Sequence, residues 1–347
     1  MLEEKGNSSV QLNGVQMQRA IPLDSPLEWK QALTGIRHSF FHTWEHCYAM
    51  YLTTKQPTFL YCAEGSGKRV VCPFVERSYG DVVDIATPYG FSGFAGNGAF
   101  FNFAENWNRF AVGRGYISGY INQHPLFTRL DDLRSDTVYR QKTLYVMNLT
   151  RGLEELFDNC SRSRRRELHR WENLVTVVTD RTTLTTFFLE HYRDFFQRKK
   201  ASSVYEFTPE TITFLLSLDN VVAIGAGRGA ELEAVNVFAY TPHAAEGIFN
   251  LSLPQGSCHG AGLIWRAVKH LVGIGIPAFN LGAGIIESDS LARFKRSFGA
   301  EPFPLYALKQ VYANESYQQV CLRSDVDPTD RDGYFPNYRA SCSPRDL

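Results

Sequence analysis

The chain has 347 residues, too long for one ordinary core and suited to two domains of roughly 100–200 residues each. Hydrophobic residues make up 44% and charged residues 21%, a globular balance that excludes a disordered chain. Lys plus Arg equals Asp plus Glu, at 36 each, so the overall field gives no reason to expect a nucleic-acid partner and any basic site must be local. Seven Cys occur without a CxxC pair or Cys/His ligand spacing, which points to buried free thiols in a reducing compartment rather than zinc or a disulfide framework. The N-terminus is polar and acidic and lacks a signal-peptide pattern, and no run of 18 apolar residues occurs. The expectation is a cytoplasmic protein without a membrane span or metal.

Residues 1–20 are polar and are expected to be flexible. The turn at Asp24-Ser25-Pro26 leads into a helix near Leu27, and residues 38–53 have helical spacing. TFLYCAEG and RVVCPFVERS flank Gly65-Ser66-Gly67-Lys68, a hairpin signal. DVVDIA is a further strand. The Gly-rich loop 88–98, a helix over 99–113 and the strand YISGYIN (116–122) complete a first lobe over 21–145.

A second lobe is expected over 146–313. It opens on the strand TLYVMNL (143–149), followed by helices over 153–174, 182–200 and 209–218. Residues 221–241 read as strand–turn–strand, and EGIFNLSLP (246–254) as a strand. Gly260–Val272 has the spacing of an amphipathic helix. PAFNLGAG (277–284) is a strand, and SDSLARFKRSFG (288–299) a short helix with Ser288 as its cap and Gly299 as its stop. LYALKQVYA (305–313) closes the lobe, and 314–347 is a polar, irregular tail. The element order argues for mixed α/β lobes with mostly antiparallel sheets.

Four constellations carry chemical potential. Ser257-Cys258-His259-Gly260-Ala261-Gly262 joins a strand to a helix start, where small residues and free N–H groups favour an anion; a plain structural turn is the alternative. In the run 288–299, Leu291, Phe294 and Phe298 share a helix face expected to be core, with Lys295 beside it. Lys295 is then either aimed into a cleft or a snorkelling surface lysine. Between Ser161 and Arg170, five Arg and a His stand against one Glu, with Arg162, Arg166 and Arg170 on one face. They suit phosphate or carboxylate, or form a solvated face. Thr87–Phe94, with Tyr89 and Phe91, is an aromatic, Gly-rich loop able to wall a cleft. Nucleophile-elbow, phosphate-loop and HExxH motifs are absent.

Taken together, the Thr-Pro-Tyr-Gly-Phe-Ser-Gly loop, the Arg-rich helix, the AELEAVNVFAYT hairpin, the small-residue loop into LIWRAVKHLVGIG and NLGAG…LARFKRSFG resemble the GNAT/Fem superfamily over about residues 30–312. The resemblance implies two GNAT-like lobes around a cleft and transfer of an aminoacyl or acyl group from aminoacyl-tRNA or acyl-CoA onto an amine, with no prosthetic group and no covalent enzyme intermediate. It places Lys295 at the acyl centre, with Tyr240, Glu246 and Asp289 as further polar or proton-handling groups. Ser257, Gly260, Gly262, Phe294, Arg162 and Arg166 are implied at the donor, and Tyr89, Phe91 and Asn250 at the acceptor cleft. Ser257 stands where the CoA-binding loop of GNAT enzymes carries Gln or Arg, which favours aminoacyl-tRNA over acyl-CoA. An acyl-CoA-dependent N- or O-acyltransferase acting on a sugar or metabolite, and an inactive binding module, are the other readings.

Overall fold

A computed structural model describes residues 17–98, 102–128, 135–200, 205–229, 231–284 and 289–340. The described residues form one mixed sheet of 13 strands with helices on both faces. The first half contributes β1 (Met17–Pro22), β2 (Thr58–Gly65), β3 (Lys68–Tyr79), β4 (Val82–Ala86), the two-residue β5 (Ala95–Gly96) and β6 (Tyr116–Asn122). The hairpin forms as its sequence predicts: Gly65 pairs with Lys68, and Ser66 and Gly67 both take positive φ, the geometry of a type I′ turn. Helix α1 (Pro26–Leu33) starts on a proline. Helix α2 (Trp44–Thr54) follows a short 3-10 turn, and α3 (Phe103–Gly113) crosses from β4 to β6.

The second half opens with β7 (Val138–Asn148). Helices α4 (Gly152–Asn159) and α5 (Arg162–Leu174) follow, the single expected helix being broken at Cys160–Ser161, where the Ser161 hydroxyl accepts from the Arg164 N–H. Then come β8 (Thr176–Val178), α6 (Arg181–Arg198), α7 (Pro209–Ser217), β9 (Val221–Arg228), β10 (Glu231–Thr241), β11 (Ala244–Ser252), α8 (Gly260–Gly273), β12 (Ala278–Ala283), α9 (Ser290–Arg296), β13 (Glu301–Val311) and α10 (Asn314–Arg323).

The strand order, β1-β2-β3-β4-β6-β13-β7-β12-β11-β10-β9-β8, reads as two similar runs meeting at β13 and β7. Each run has antiparallel strands leading to one parallel pair, β4 with β6 and β11 with β12, and a helix crosses over between its members. The remaining pairs are antiparallel. The two halves exchange their last strands. β7 follows β6 in the chain but pairs with β12. β13 follows β12 but pairs with β6 through residues 307–311, and with β7 through 301–308. The sequence division at 145/146 therefore falls inside β7, and one sheet runs through both halves.

Packing follows the sheet. One face of the second half carries α4, α5, α8 and α9 around Phe238, Trp265 and Phe279. The other carries α6 and α7 together with α2 of the first half around Phe188, Val237 and Phe249. Helix α8 buries eight residues and is enclosed on several sides rather than amphipathic at the surface. Two sequence expectations differ. Residues 17–22, placed largely in a flexible N-terminus, form β1, which pairs with β2 along its whole length and buries Ile21. The segment expected to be an irregular tail contains α10, and Phe335, Asn337, Tyr338 and Arg339 are buried against the first half. Its polar composition hides the few anchoring side chains that decide docking.

Candidate active site

The two parallel pairs differ in how long they hold together. β11 and β12 pair only at Ala245–Phe279 and Glu246–Asn280. Beyond these, both strands carry an irregularity. On β11, Phe238 of β10 faces Gly247 and Val237 faces Phe249, so Ile248 is an extra residue. On β12, Leu281 and Gly282 together oppose the single Tyr145 of β7, and Gly282 takes φ +78°. Adjacent bulges turn the two strands apart and open a fork between them. Backbone groups along a divided sheet must find water or a ligand.

Lys295 reaches the β12 side of this fork. Asp289 caps α9, accepting the Ala292 N–H at 2.6 Å, a role expected of Ser288, which lies outside the described residues. The helix buries Ala292 and Lys295; of the three residues expected in the core, Phe298 is fully buried and Phe294 packs against the core, while Leu291 is 37% exposed. The Lys295 Nζ donates to Ala283 O at 2.6 Å. Burial pulls its pKa down to about 8, with the Asp289 carboxylate acting in the opposite direction. Lys295 is therefore neither a snorkelling surface lysine nor merely beside the core.

Phe294 and Phe298 lie under the Arg164 guanidinium, at 4.5 and 4.6 Å from the ring centres. Arg164 also donates to Ser297 Oγ at 2.9 Å, which ties α5 to α9. Arg162 and Arg166 stay exposed, and among the described residues neither forms an ion pair. The first turn of α5 has no acidic residue, so its arginines oppose the helix dipole.

The small-residue segment is a helix rather than an open loop. A 3-10 turn over Gln255–His259 runs directly into α8, and Gly260 has helical angles of φ −53° and ψ −39°. The exposed start is displaced toward Gln255 and Ser257. Gly262 lies under Trp171, where a Cβ would sit 2.0 Å from the indole, so its missing side chain serves helix packing and not ligand approach. Gly260 remains open, with Asn250 Nδ2 3.9 Å from where its Cβ would be. Asn250 is exposed on β11 beside the fork. Trp171 Nε1 donates to His259 Nδ1 at 3.0 Å, which leaves the proton on Nε2 to donate to Glu233 at 2.8 Å.

Other expected residues lie elsewhere. Glu246 is 1% exposed and both its oxygens are occupied, by His124 Nε2 at 2.9 Å and Asn280 Nδ2 at 2.8 Å. It is a saturated buried anion, not a base facing an amine. Tyr240 pairs with Ala245 at the closed end of the β10–β11 hairpin. There it lines a cavity of about 490 Å³ with His38, Thr43, Thr241 and Ile276. Ala283 lies four residues beyond Phe279, about 13 Å along the strand, so Tyr240 does not meet Lys295. The Tyr89 ring packs edge-on against Tyr205 and Phe207, and burial pushes its hydroxyl pKa well up. Phe91 packs against Phe41 in the same first-half loop. Sequence reasoning missed His124, an isolated polar residue without a motif, and gave no role to Asn280, the first residue of the NLGAG run.

Among the described residues no helix is long and apolar enough to cross a membrane. None of their His, Cys, Asp and Glu side chains form a group placed to hold a metal ion. Five of the six described cysteines are buried free thiols, and Cys258 is exposed.

No protein-family model matches the chain, and no curated protein matches it in sequence. Solved structures do. The crystal structure of FemX superposes with a TM-score of 0.66 at 10% identity, over 87% of this chain and 99% of that one. A conserved protein of unknown function from Bacteroides thetaiotaomicron gives 0.58 at 10% identity, over 86% and 100%. The structure of L-PGS from Bacillus licheniformis gives 0.53 at 13% identity, over 82% and 91%. The chain shares its fold, mixed α/β halves joined in one sheet, with FemX and L-PGS.

Proposed function

We propose that the protein is an acyltransferase that moves an activated aminoacyl or acyl group onto an amine at the β11–β12 fork. The observation that carries this is the buried Lys295 ammonium held at the side of an opened parallel strand pair, with the start of α8 adjoining through Gly260 and Asn250. An ester or thioester donor needs only orientation and stabilisation of the developing oxyanion. Lys295, lowered toward neutrality yet still mostly charged at pH 7, suits that role. The amine nitrogen then attacks the carbonyl directly, the C–O or C–S bond to the donor breaks, and the alcohol or thiol leaves with the proton given up by the amine, without a covalent enzyme intermediate.

Aminoacyl-tRNA is the favoured donor. Ser257 is short and uncharged where a CoA pyrophosphate would want a cation, and Arg162 and Arg166 stand unpaired on α5, which is bonded to the helix that bears Lys295. They would meet phosphate by charge-assisted hydrogen bonds. An acyl-CoA donor is the second reading, because the 3-10 start of α8 presents N–H groups beside the fork. Incubating the purified protein with labelled aminoacyl-tRNA and acyl-CoA pools separates the two. Retention and turnover of aminoacyl-tRNA is the expected result. Acetyl-CoA binding at a low-micromolar Kd, about −8 kcal/mol, would transfer the assignment to CoA. Absence of turnover with either donor would leave a binding module.

A further inference from the structure

We infer that Asn280 is a positioning residue: backed by Glu246 and, through it, by His124 of the first half, it holds the β12 bulge in the shape that gives Lys295 its acceptor. The inference rests on the assignment of Lys295 above.

The bonds form an unbroken series. The His124 N–H donates to Ser92 O at 3.1 Å, which anchors it to the Gly-rich loop of the first half. His124 Nδ1 accepts the Leu126 N–H at 3.2 Å, so the ring proton lies on Nε2 and donates to Glu246 Oε1 at 2.9 Å. The other Glu246 oxygen accepts from Asn280 Nδ2 at 2.8 Å. With its amide nitrogen so engaged, Asn280 must turn Oδ1 toward the chain, where it accepts the Gly282 N–H at 2.8 Å. Gly282 is the positive-φ residue of the bulge, and the next carbonyl, that of Ala283, receives Lys295. His124, Glu246 and Asn280 are each at most 2% exposed. A buried carboxylate and amide without partners are costly, so every orientation in the series is dictated by its neighbour.

That dependence can be reversed on paper and in the protein. In Glu246→Gln the introduced amide accepts from His124 and must then present its NH₂ to the Asn280 NH₂. Relieving that clash flips Asn280 and leaves the Gly282 N–H without an acceptor. In the double variant Glu246→Gln/Asn280→Asp, the introduced NH₂ donates to the introduced carboxylate, whose second oxygen accepts the Gly282 N–H. Every hydrogen bond is restored and the charge is conserved.

Two measurements independent of turnover test this. One is amide hydrogen exchange over residues 279–284. The other is the pH midpoint for acylation of Lys295 by a small amine-reactive ester, read by peptide mass spectrometry. Glu246→Gln should speed exchange at Gly282 by at least about tenfold and lower the Lys295 midpoint by about one pH unit, because the ammonium loses the Ala283 carbonyl that accepts from it. The double variant should return Gly282 exchange to the wild-type rate. An unmoved midpoint in Glu246→Gln, or exchange in the double variant as fast as in the single, overturns the inference. If Glu246→Gln does not fold, folding of the double variant supports the pairing and its failure to fold overturns it. Normal turnover in Lys295→Met would instead sink the assignment of Lys295, whatever these readouts give.

Discussion

The two parallel strand pairs of this sheet have the same topology and opposite fates. At β4 and β6 the strands stay joined past their ends: the Thr87 N–H donates to Tyr120 O, the Asn122 N–H donates to Thr87 Oγ1, and Ser92 bridges Gln123. The C-terminal segment seals that pair. The Tyr338 hydroxyl reaches Ser118 on β6 and Asp84 on β4, while Arg77 and Arg339 both contact the Asp84 carboxylate. At β11 and β12 pairing ends after two residues, two bulges part the strands, and the buried carboxylate, Glu246, is met by neutral side chains instead of arginines. Both pairs carry a register irregularity, and the pair whose edges are left without a seal is the one that becomes a site. The pair that a strap covers becomes scaffold.

The largest expected effect falls on the sealed pair. Asp84→Ala leaves two arginines in a fully buried site with their carboxylate gone, a class of change that costs about 3–5 kcal/mol. Chemical denaturation should show that loss, while turnover per folded molecule stays at the wild-type level. A fall in turnover at constant folded fraction would mean that the first pair also takes part in the reaction.

At the open fork the expected effect is on rate. Lys295→Met should lower kcat by about 10²–10³, equivalent to about 2.7–4 kcal/mol, without loss of stability at neutral pH. Arginine at this position should restore only part of the rate, because its planar fork directs charge differently. Near-normal turnover by Lys295→Met with the donor still bound removes Lys295 from the mechanism.

The same residue predicts a pH dependence. Its folded pKa of about 8 lies below the unfolded value of about 10.4, so the unfolded chain binds more protons between these limits. Stability from this group therefore rises as pH increases through about 8 to 10, by up to about 3 kcal/mol. The difference between wild type and Lys295→Met isolates that contribution from other titrating groups. Parallel stability curves for the two proteins over this range would show that the lysine is solvated in the folded state.

Gly262→Ala tests how the start of α8 is supported. A methyl group 2.0 Å from the Trp171 ring forces α5 and α8 apart and should cost about 1–3 kcal/mol. Gly260→Ala meets open space and should be milder, with any effect appearing in donor affinity rather than in the melting temperature. Equal loss of stability in both variants would contradict the packing described for the helix.

The smallest effect is expected on the exposed arginines. Changing Arg162 and Arg166 together to Ala should weaken binding of a phosphate-bearing donor and lower the slope of log affinity against log salt by roughly one to two. Unchanged affinity at low and high salt returns this face to a solvated role.

The local chemistry of the chain was sufficient for its regular elements. Short apolar runs bounded by turn residues located most of the long strands, Gly65–Lys68 located the first hairpin, and Pro26 the start of α1, because these depend on neighbours within a few residues. Lys295, Asn250 and Gly260 were also legible as candidates for the proposed site, since the segments around them carry recognisable spacing. The partners of those residues were not. β7 and β13 look like ordinary strands, and their exchange between halves depends on pairings between segments far apart in the chain. Lys295 on α9 looked more exposed than Leu291 until β12 was set beside it. Glu246 looked free to act as a base, yet His124, 122 residues earlier in the chain, closes it. Sequence by itself determined which segments become strands and helices. Only the tertiary structure decided which polar groups are saturated and which face an open fork, because a buried hydrogen bond has two ends and the chain specifies them at separate positions.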